Sequence, residues 1–223
     1  MKKLNLYFII VCLCGLWIYA CSSSDELEDN CTDDGCPEFV SMMEELDAEL
    51  IAYNTSAKVV PIVSTKTKDD FVYSLNRCIT HLYQNVPLEK QIPRELIIAQ
   101  AAIETGWGKS RFANEGNNLF GIRTFNKDDE WLLPITWDQD KWIGWGVKVF
   151  KTKCDSVAYY IRMINEVYAY AEFREVRAKI LEYGEIPDGL DLAPTLTKYA
   201  SRSNYTELVA ILIKKNIRGV YEL

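Results

Sequence analysis

The stretch Leu96-Ile97-Ile98-Ala99 and Ala101-Ala102-Ile103 constrains the fold most, because it is apolar on nearly every side of a helix. A helix of that kind is stable only when other elements enclose it, so the chain must wrap a core around it. Pro93 suits the opening of this helix, since a first-turn N–H has no intrahelical partner to lose. The helix is expected from Glu95 to about Thr105, with Gly106 and Gly108 ending it. Glu104 stands at that end. Ile97, Ala101 and Glu104 share one face at i, i+4 and i+7.

The other elements read as partners for this helix. Phe71, Val72, Leu75, Cys78, Ile79 and Leu82 recur at helical spacing, with Asp69 and Asp70 suited to a first turn. After Asp155 the pattern predicts helices over about 155–166, 170–183 (ending at Gly184), 191–200 and 204–216. The last takes Leu208, Ile211 and Leu212 as its apolar stripe. Residues 106–125 form a Gly/Asn-rich loop region, and 126–150 read as a small β-hairpin lobe with Val147 and Val149. The fold class is mainly α, a helical domain with a small β-hairpin lobe spanning 64–223. Residues 21–63 are a tether or linker, partly helical where Met43, Leu46, Leu50 and Ile51 repeat.

Residues 1–20 read as a signal peptide. Lys2 and Lys3 precede an apolar run from Leu4 to Tyr19, sixteen residues long and broken only by Asn5. That is short for a membrane-spanning helix. Ala20-Cys21 at its end resembles the bacterial lipobox, which implies cleavage before Cys21 and lipidation of its thiol. The expectation is a protein of the bacterial cell envelope, held to a membrane by an N-terminal lipid anchor. A plain signal peptide with an incidental cysteine, or an uncleaved anchor, remains the alternative.

Composition excludes several chemistries. The net charge is -7 and no basic block occurs, which argues against nucleic acid as a partner. His81 is the one histidine in the chain. It lies in a helix without a nucleophile motif, which argues against a Ser-His-Asp or Cys-His site. No Cys/His cluster has metal spacing, so no metal and no cofactor are expected. The chain is expected to be a monomer. Cys31 and Cys36 suit a small disulfide loop in an oxidising compartment. Cys78 and Cys154, inside helical patterns, read as buried small side chains rather than partners of one another.

Glu104 is the candidate acid. Partial burial and the negative end of a helix both disfavour its ionised form and raise its pKa. A carboxyl group still protonated near neutral pH can protonate a leaving glycosidic oxygen. The plainer reading is a helix-end glutamate facing water or paired with Lys109 or Arg111.

Residues 96–122 read L-I-I-A-Q-A-A-I-E-T-G-W-G-K-S-R-F-A-N-E-G-N-N-L-F-G-I. This strongly resembles the glucosaminidase-domain family, which includes Bax-like proteins and flagellar peptidoglycan hydrolases. Supporting pieces are Phe150 with Asp155-Ser156-Val157, Tyr159-Tyr160, and the stretch Tyr199-Ala200-Ser201-Arg202-Ser203-Asn204-Tyr205. The resemblance implies a lysozyme-like α fold and endo-β-N-acetylglucosaminidase action on peptidoglycan glycan strands. Its catalytic acid carries over to Glu104 and its late tyrosine to Tyr199. Trp107, Asn117, Asn118 and Phe120 fall on the signature loop, as sugar contacts or as core and turn residues. Tyr205 and one lobe ring, Trp145, are further candidates for glycan contact; Trp131, Trp137 and Trp142 lie in the same lobe.

The family's second carboxylate has no match. Its register falls near Gly146, and no acid lies between Lys141 and Phe150. Asp128, Asp129, Glu130, Asp138 and Asp140 lie nearby, and Glu130 is the preferred second group. Glycosidases that use the sugar's own acetamide need only one strong acid. Muramidase or lytic transglycosylase action, and non-catalytic wall binding, are the competing functions.

Overall fold

Local sequence signals place the helices, and their apolar faces assemble the core. The structure is a computed structural model that describes residues 40–47, 60–138, 140–200 and 202–221. A helical segment over 40–47 (α1) comes first. Helix α2 spans Lys68–Tyr83; the Thr67 side chain caps it by accepting from the Asp70 N–H at 3.0 Å. Helix α3 spans Arg94–Thr105 and α4 spans Arg111–Glu115. Pro93 is the N-cap of α3 rather than its first helical residue, and Gly106 closes it at φ 59°.

The lobe is three short strands, not a simple hairpin. Strands β1 (Arg123–Thr124), β2 (Trp131–Leu132) and β3 (Gly146–Lys148) form an antiparallel sheet in the order β1-β3-β2. The pairs are Arg123 with Val147 and Trp131 with Lys148. The expected lobe began at 126, yet Arg123 and Thr124 are recruited to it because β3 offers both of its edges.

Helix α5 spans Lys153–Glu166 and starts two residues before the expected position. Thr152 and Asp155 form a reciprocal capping box that fixes this start. Helix α6 spans Ala171–Glu182, and α7 is only Gly189–Leu192. The single helix expected over 191–200 is broken: α7 tightens into a 3₁₀ turn at Ala193–Thr195 around Pro194, and Tyr199 follows in a turn. Proline at 194 lacks the N–H that a continuing helix needs.

Helix α8 spans Tyr205–Leu212 and widens into a π turn at Ile213–Ile217. Its buried stripe is Tyr205, Val209, Ile213 and Ile217, not Leu208, Ile211 and Leu212; Ile211 is exposed. Steps of four outrun the 3.6-residue α period, and the π turn brings Ile213 and Ile217 back onto the core face.

Helix α3 lies within this core, with Leu96, Ile97, Ile98, Ala99 and Ala101 fully buried. A Cys78–Cys154 disulfide ties α2 to α5, with Cα atoms 5.8 Å apart. The expectation that these cysteines are buried held, since both are at most 1% exposed, but they are partners. Each sits on the packed face of its helix, and the two faces meet. Among the described residues no helix is long and apolar enough to cross a membrane, and no His/Cys/Asp/Glu group is arranged to hold a metal. The expected signal segment, lipidation at Cys21 and the Cys31–Cys36 loop lie outside the described residues.

Candidate active site

Helix α3 delivers Glu104 to the end of the core. The loop beyond it folds back tightly, with the Lys109 and Ser110 N–H groups donating to the Thr105 carbonyl at 2.9 and 2.8 Å. Gly108 allows this at φ 78°, and a Cβ there would stand 3.0 Å from the Phe71 ring. Glu104 as a residue reaches the surface, but its Oε1 is buried without a hydrogen-bond partner among the described residues. Burial pushes its carboxyl up from 4.5 to about 7, and the neighbouring Tyr205 hydroxyl pulls in the opposite direction. The alternative pairings fail, because Arg111 bridges Glu115 at 2.7 Å and donates to the Leu133 carbonyl at 2.7 Å, while Lys109 is exposed.

Four tyrosines from four separate elements carry the electrostatic influence of Glu104: Tyr160, Tyr170, Tyr199 and Tyr205. All are at most 3% exposed, and burial raises the pKa of each hydroxyl. Tyr199 stacks on Tyr205 with ring centroids 5.4 Å apart and donates to the Phe120 carbonyl at 3.1 Å. It also lines a depression with Phe120, Gly121, Ile122, Arg123 and Met43, a hollow that Glu104 itself does not line. Tyr199 therefore holds the signature loop from inside the protein.

The sequence-expected contact residues divide sharply. Asn118 is fully buried, and both ends of its amide are occupied. Its Nδ2 donates to the Ile122 and Lys148 carbonyls, both at 2.8 Å, and its Oδ1 accepts from the Phe120 and Ile122 N–H groups at 3.2 and 3.1 Å. It offers nothing to a sugar and instead joins the signature loop to β3. Asn117 sits at φ 52°, and its Nδ2 donates to the Phe150 and Lys151 carbonyls at 2.9 and 3.1 Å. Phe120 is a core residue stacked on Tyr160 at 4.2 Å. Tyr205, read as a sugar contact, is 2% exposed and turned inward to Gln100 and Glu104.

Trp107, at φ 65°, packs edge-on to Phe71 with the Lys68 ammonium 4.9 Å above its ring. It braces the loop against α2. Trp145 is partly exposed, with the Arg123 guanidinium 3.8 Å over its ring. Its neighbour Trp137 is the most exposed lobe tryptophan at 42%.

Glu130 is exposed at the entry to β2, and its described contact is the backbone carbonyl that accepts from the Val149 N–H at 2.9 Å. Asp129 is tied to the Lys148 ammonium at 2.7 Å and accepts from the Thr124 hydroxyl at 2.5 Å. At Gly146, a Cβ would meet Trp131 Cβ at 2.6 Å, so that register has no room for a carboxylate side chain.

Gln100 was not singled out from the sequence, and Tyr160 figured only in the family resemblance, not as a site residue. The signal was present: Gln100 is the one polar side chain between Leu96 and Ile103, four residues before Glu104. A polar group inside a buried helix needs a hydrogen-bond partner, and a partner so close to the acid belongs to its surroundings.

A helical domain with a small sheet lobe holds the buried Glu104 carboxyl at the end of α3, an arrangement suited to a glycoside hydrolase. Residues 80–218 match the Glucosaminidase family, described as mannosyl-glycoprotein endo-beta-N-acetylglucosaminidase, and the chain belongs to that family. It is 27% identical over 128 residues to the protein bax of Escherichia coli (strain K12), a match covering 57% of this chain and 44% of that one. The chain thus spans less than half the length of that curated relative. Among solved structures it is similar to a peptidoglycan hydrolase from Sphingomonas sp. A1, with 21% identity, 63% and 83% of the two chains covered and a TM-score of 0.43. The catalytic domain of the autolysin Auto from Listeria monocytogenes is similar at 18% identity, with 75% and 92% covered and a TM-score of 0.47.

Proposed function

We propose that this protein hydrolyses peptidoglycan glycan strands at N-acetylglucosamine, with Glu104 as general acid. The observation that carries the reading is the buried Glu104 carboxyl, pushed up to about 7 in a family of glucosaminidases. At neutral pH such a group divides between acid and carboxylate, as proton donation followed by proton recovery requires.

The chemistry favoured is acetamide-assisted. The 2-acetamido carbonyl oxygen of the sugar attacks C1 while Glu104 gives its proton to the leaving oxygen, forming an oxazolinium ring. Water then opens that ring at C1, and the Glu104 carboxylate takes the water's proton. Three facts support one carboxylate rather than two. Glu130 is exposed, Asp129 is ion-paired with Lys148, and the space beside Gly146 is occupied by Trp131. Burial and Tyr205 alone account for the Glu104 shift. Tyr199 supports the site by holding the Phe120 carbonyl, and the partly exposed Trp145 and Trp137 offer aromatic faces to pyranose rings.

The cellular setting follows from residues 1–21: a lipid anchor on Cys21, at the cell envelope, holding a monomeric domain near its wall substrate. Palmitate labelling of wild type and Cys21→Ser checks the anchor, which predicts loss of label in the variant. For the activity, purified peptidoglycan is digested with wild type and Glu104→Gln and the products weighed by mass spectrometry. Reducing N-acetylglucosamine ends that disappear in the variant are expected. Anhydro-muramic ends would favour a lytic transglycosylase, and binding without cleavage by both proteins would favour a wall-binding role.

A further inference from the structure

The four buried tyrosines are not equivalent, because one buried amide gives their hydrogen bonds a direction. The Tyr160 hydroxyl donates to Gln100 Oε1. Gln100 Nε2 then donates to the Tyr205 hydroxyl oxygen at 3.0 Å. An amide fixed at its oxygen presents only N–H at its other end, so it can only donate to Tyr205. Tyr205 therefore keeps its own proton for another acceptor. Gln100 and Glu104 are one helical turn apart on α3, and Tyr205 addresses both from the first turn of α8.

We infer that Tyr160, Gln100 and Tyr205 are positioning residues for Glu104: a one-way chain that points the Tyr205 O–H at the Glu104 carboxylate. This rests on the reading of Glu104 as general acid. The hydroxyl stabilises the carboxylate left after proton donation, so Glu104 releases its proton more readily than burial alone would allow. The titratable groups facing Glu104 are Tyr160 on α5, Tyr170 in the 3₁₀ turn Tyr168–Tyr170, Tyr199 after the turn at Ala193–Thr195, and Tyr205 on α8. Among these four, Tyr205 is the hydroxyl that opposes burial in setting the Glu104 pKa. Tyr199 spends its proton on Phe120, and the buried Tyr170 hydroxyl has no hydrogen-bond partner among the described residues.

The test is a direct titration of Glu104 in the full chain. Carbon-13-labelled glutamate carboxyls are followed by NMR from pH 4 to 10, and the Glu104 signal is assigned as the one absent from Glu104→Gln. Tyr205→Phe removes only a hydroxyl and is expected to raise the Glu104 midpoint by about one pH unit. Tyr160→Phe, two hydrogen bonds from Tyr205, is expected to raise it by roughly half a unit. The high-pH limb of kcat/KM on peptidoglycan should move upward by the same amount in each. A Glu104 midpoint unchanged in folded Tyr205→Phe overturns the proposal. If that variant does not fold, Tyr160→Phe decides, and an unchanged midpoint there overturns it equally. Should Glu104→Gln digest peptidoglycan like wild type, the general-acid reading fails, while the titration still reports on the chain of hydroxyls.

Discussion

Gly146 and Trp131 are diagonal neighbours across the β2–β3 pair, so close that a Cβ on residue 146 would stand 2.6 Å from Trp131 Cβ and 3.0 Å from its Cγ. Neighbouring strands leave no slack for such an approach, because the backbone ladder fixes their separation. The lobe position where a second carboxylate is expected is therefore closed by an indole. Gly146→Glu should lower stability by about 2 kcal/mol through overpacking, and it should not raise glycan cleavage. Combining it with Trp131→Ala should recover part of that loss. Denaturant unfolding and a digest of each variant check both statements.

Glu104 itself predicts a pH-dependent stability. Its folded pKa is raised to about 7 from 4.5, so the folded state resists its ionisation. The cost is absent below 4.5, grows through the interval and is complete above about 7. Glu104→Gln removes that cost. Its stability relative to wild type should therefore improve between pH 4 and pH 8, by up to roughly 3 kcal/mol. Urea unfolding at the two pH values measures the difference. An equal offset at both would mean that Glu104 is not held protonated.

Asn118 should behave as a structural residue. Asn118→Ala strands the buried Ile122 and Phe120 N–H groups and two carbonyl oxygens. The expected cost is about 2–4 kcal/mol, since buried polar groups lose partners they cannot replace with water. A sugar-contact role would instead raise KM and leave the melting curve in place. Calorimetry beside steady-state kinetics separates the two.

The Cys78–Cys154 bond closes a long loop, with its ends 76 residues apart in sequence. Replacing both cysteines with alanine should cost about 2–4 kcal/mol, mainly through a freer unfolded chain. Non-reducing peptide mapping should recover the 78–154 pair. Reductant should lower the unfolding midpoint of wild type and leave the double variant unchanged.

Sequence alone determined what depends on neighbours a few residues away. The buried character of α3, its stop at Gly106, the acidic first turn of α2 and the place of Glu104 all follow from helical period and end chemistry. The family motif lies in the same short window, which is why Glu104 stood out as the candidate acid. Tertiary structure decided everything that rests on distant pairing. Gln100 meets Tyr205 across 105 positions and Tyr160 across 60, and Tyr199 reaches Phe120 across 79. No periodicity encodes such meetings, so Tyr205 read as a sugar contact and Cys154 as a solitary thiol. Asn118 shows the same limit, because its partner on β3 lies 30 positions away. A side chain's type sets which bonds it can make; only the packed fold sets whether those bonds go to the protein or remain for a ligand.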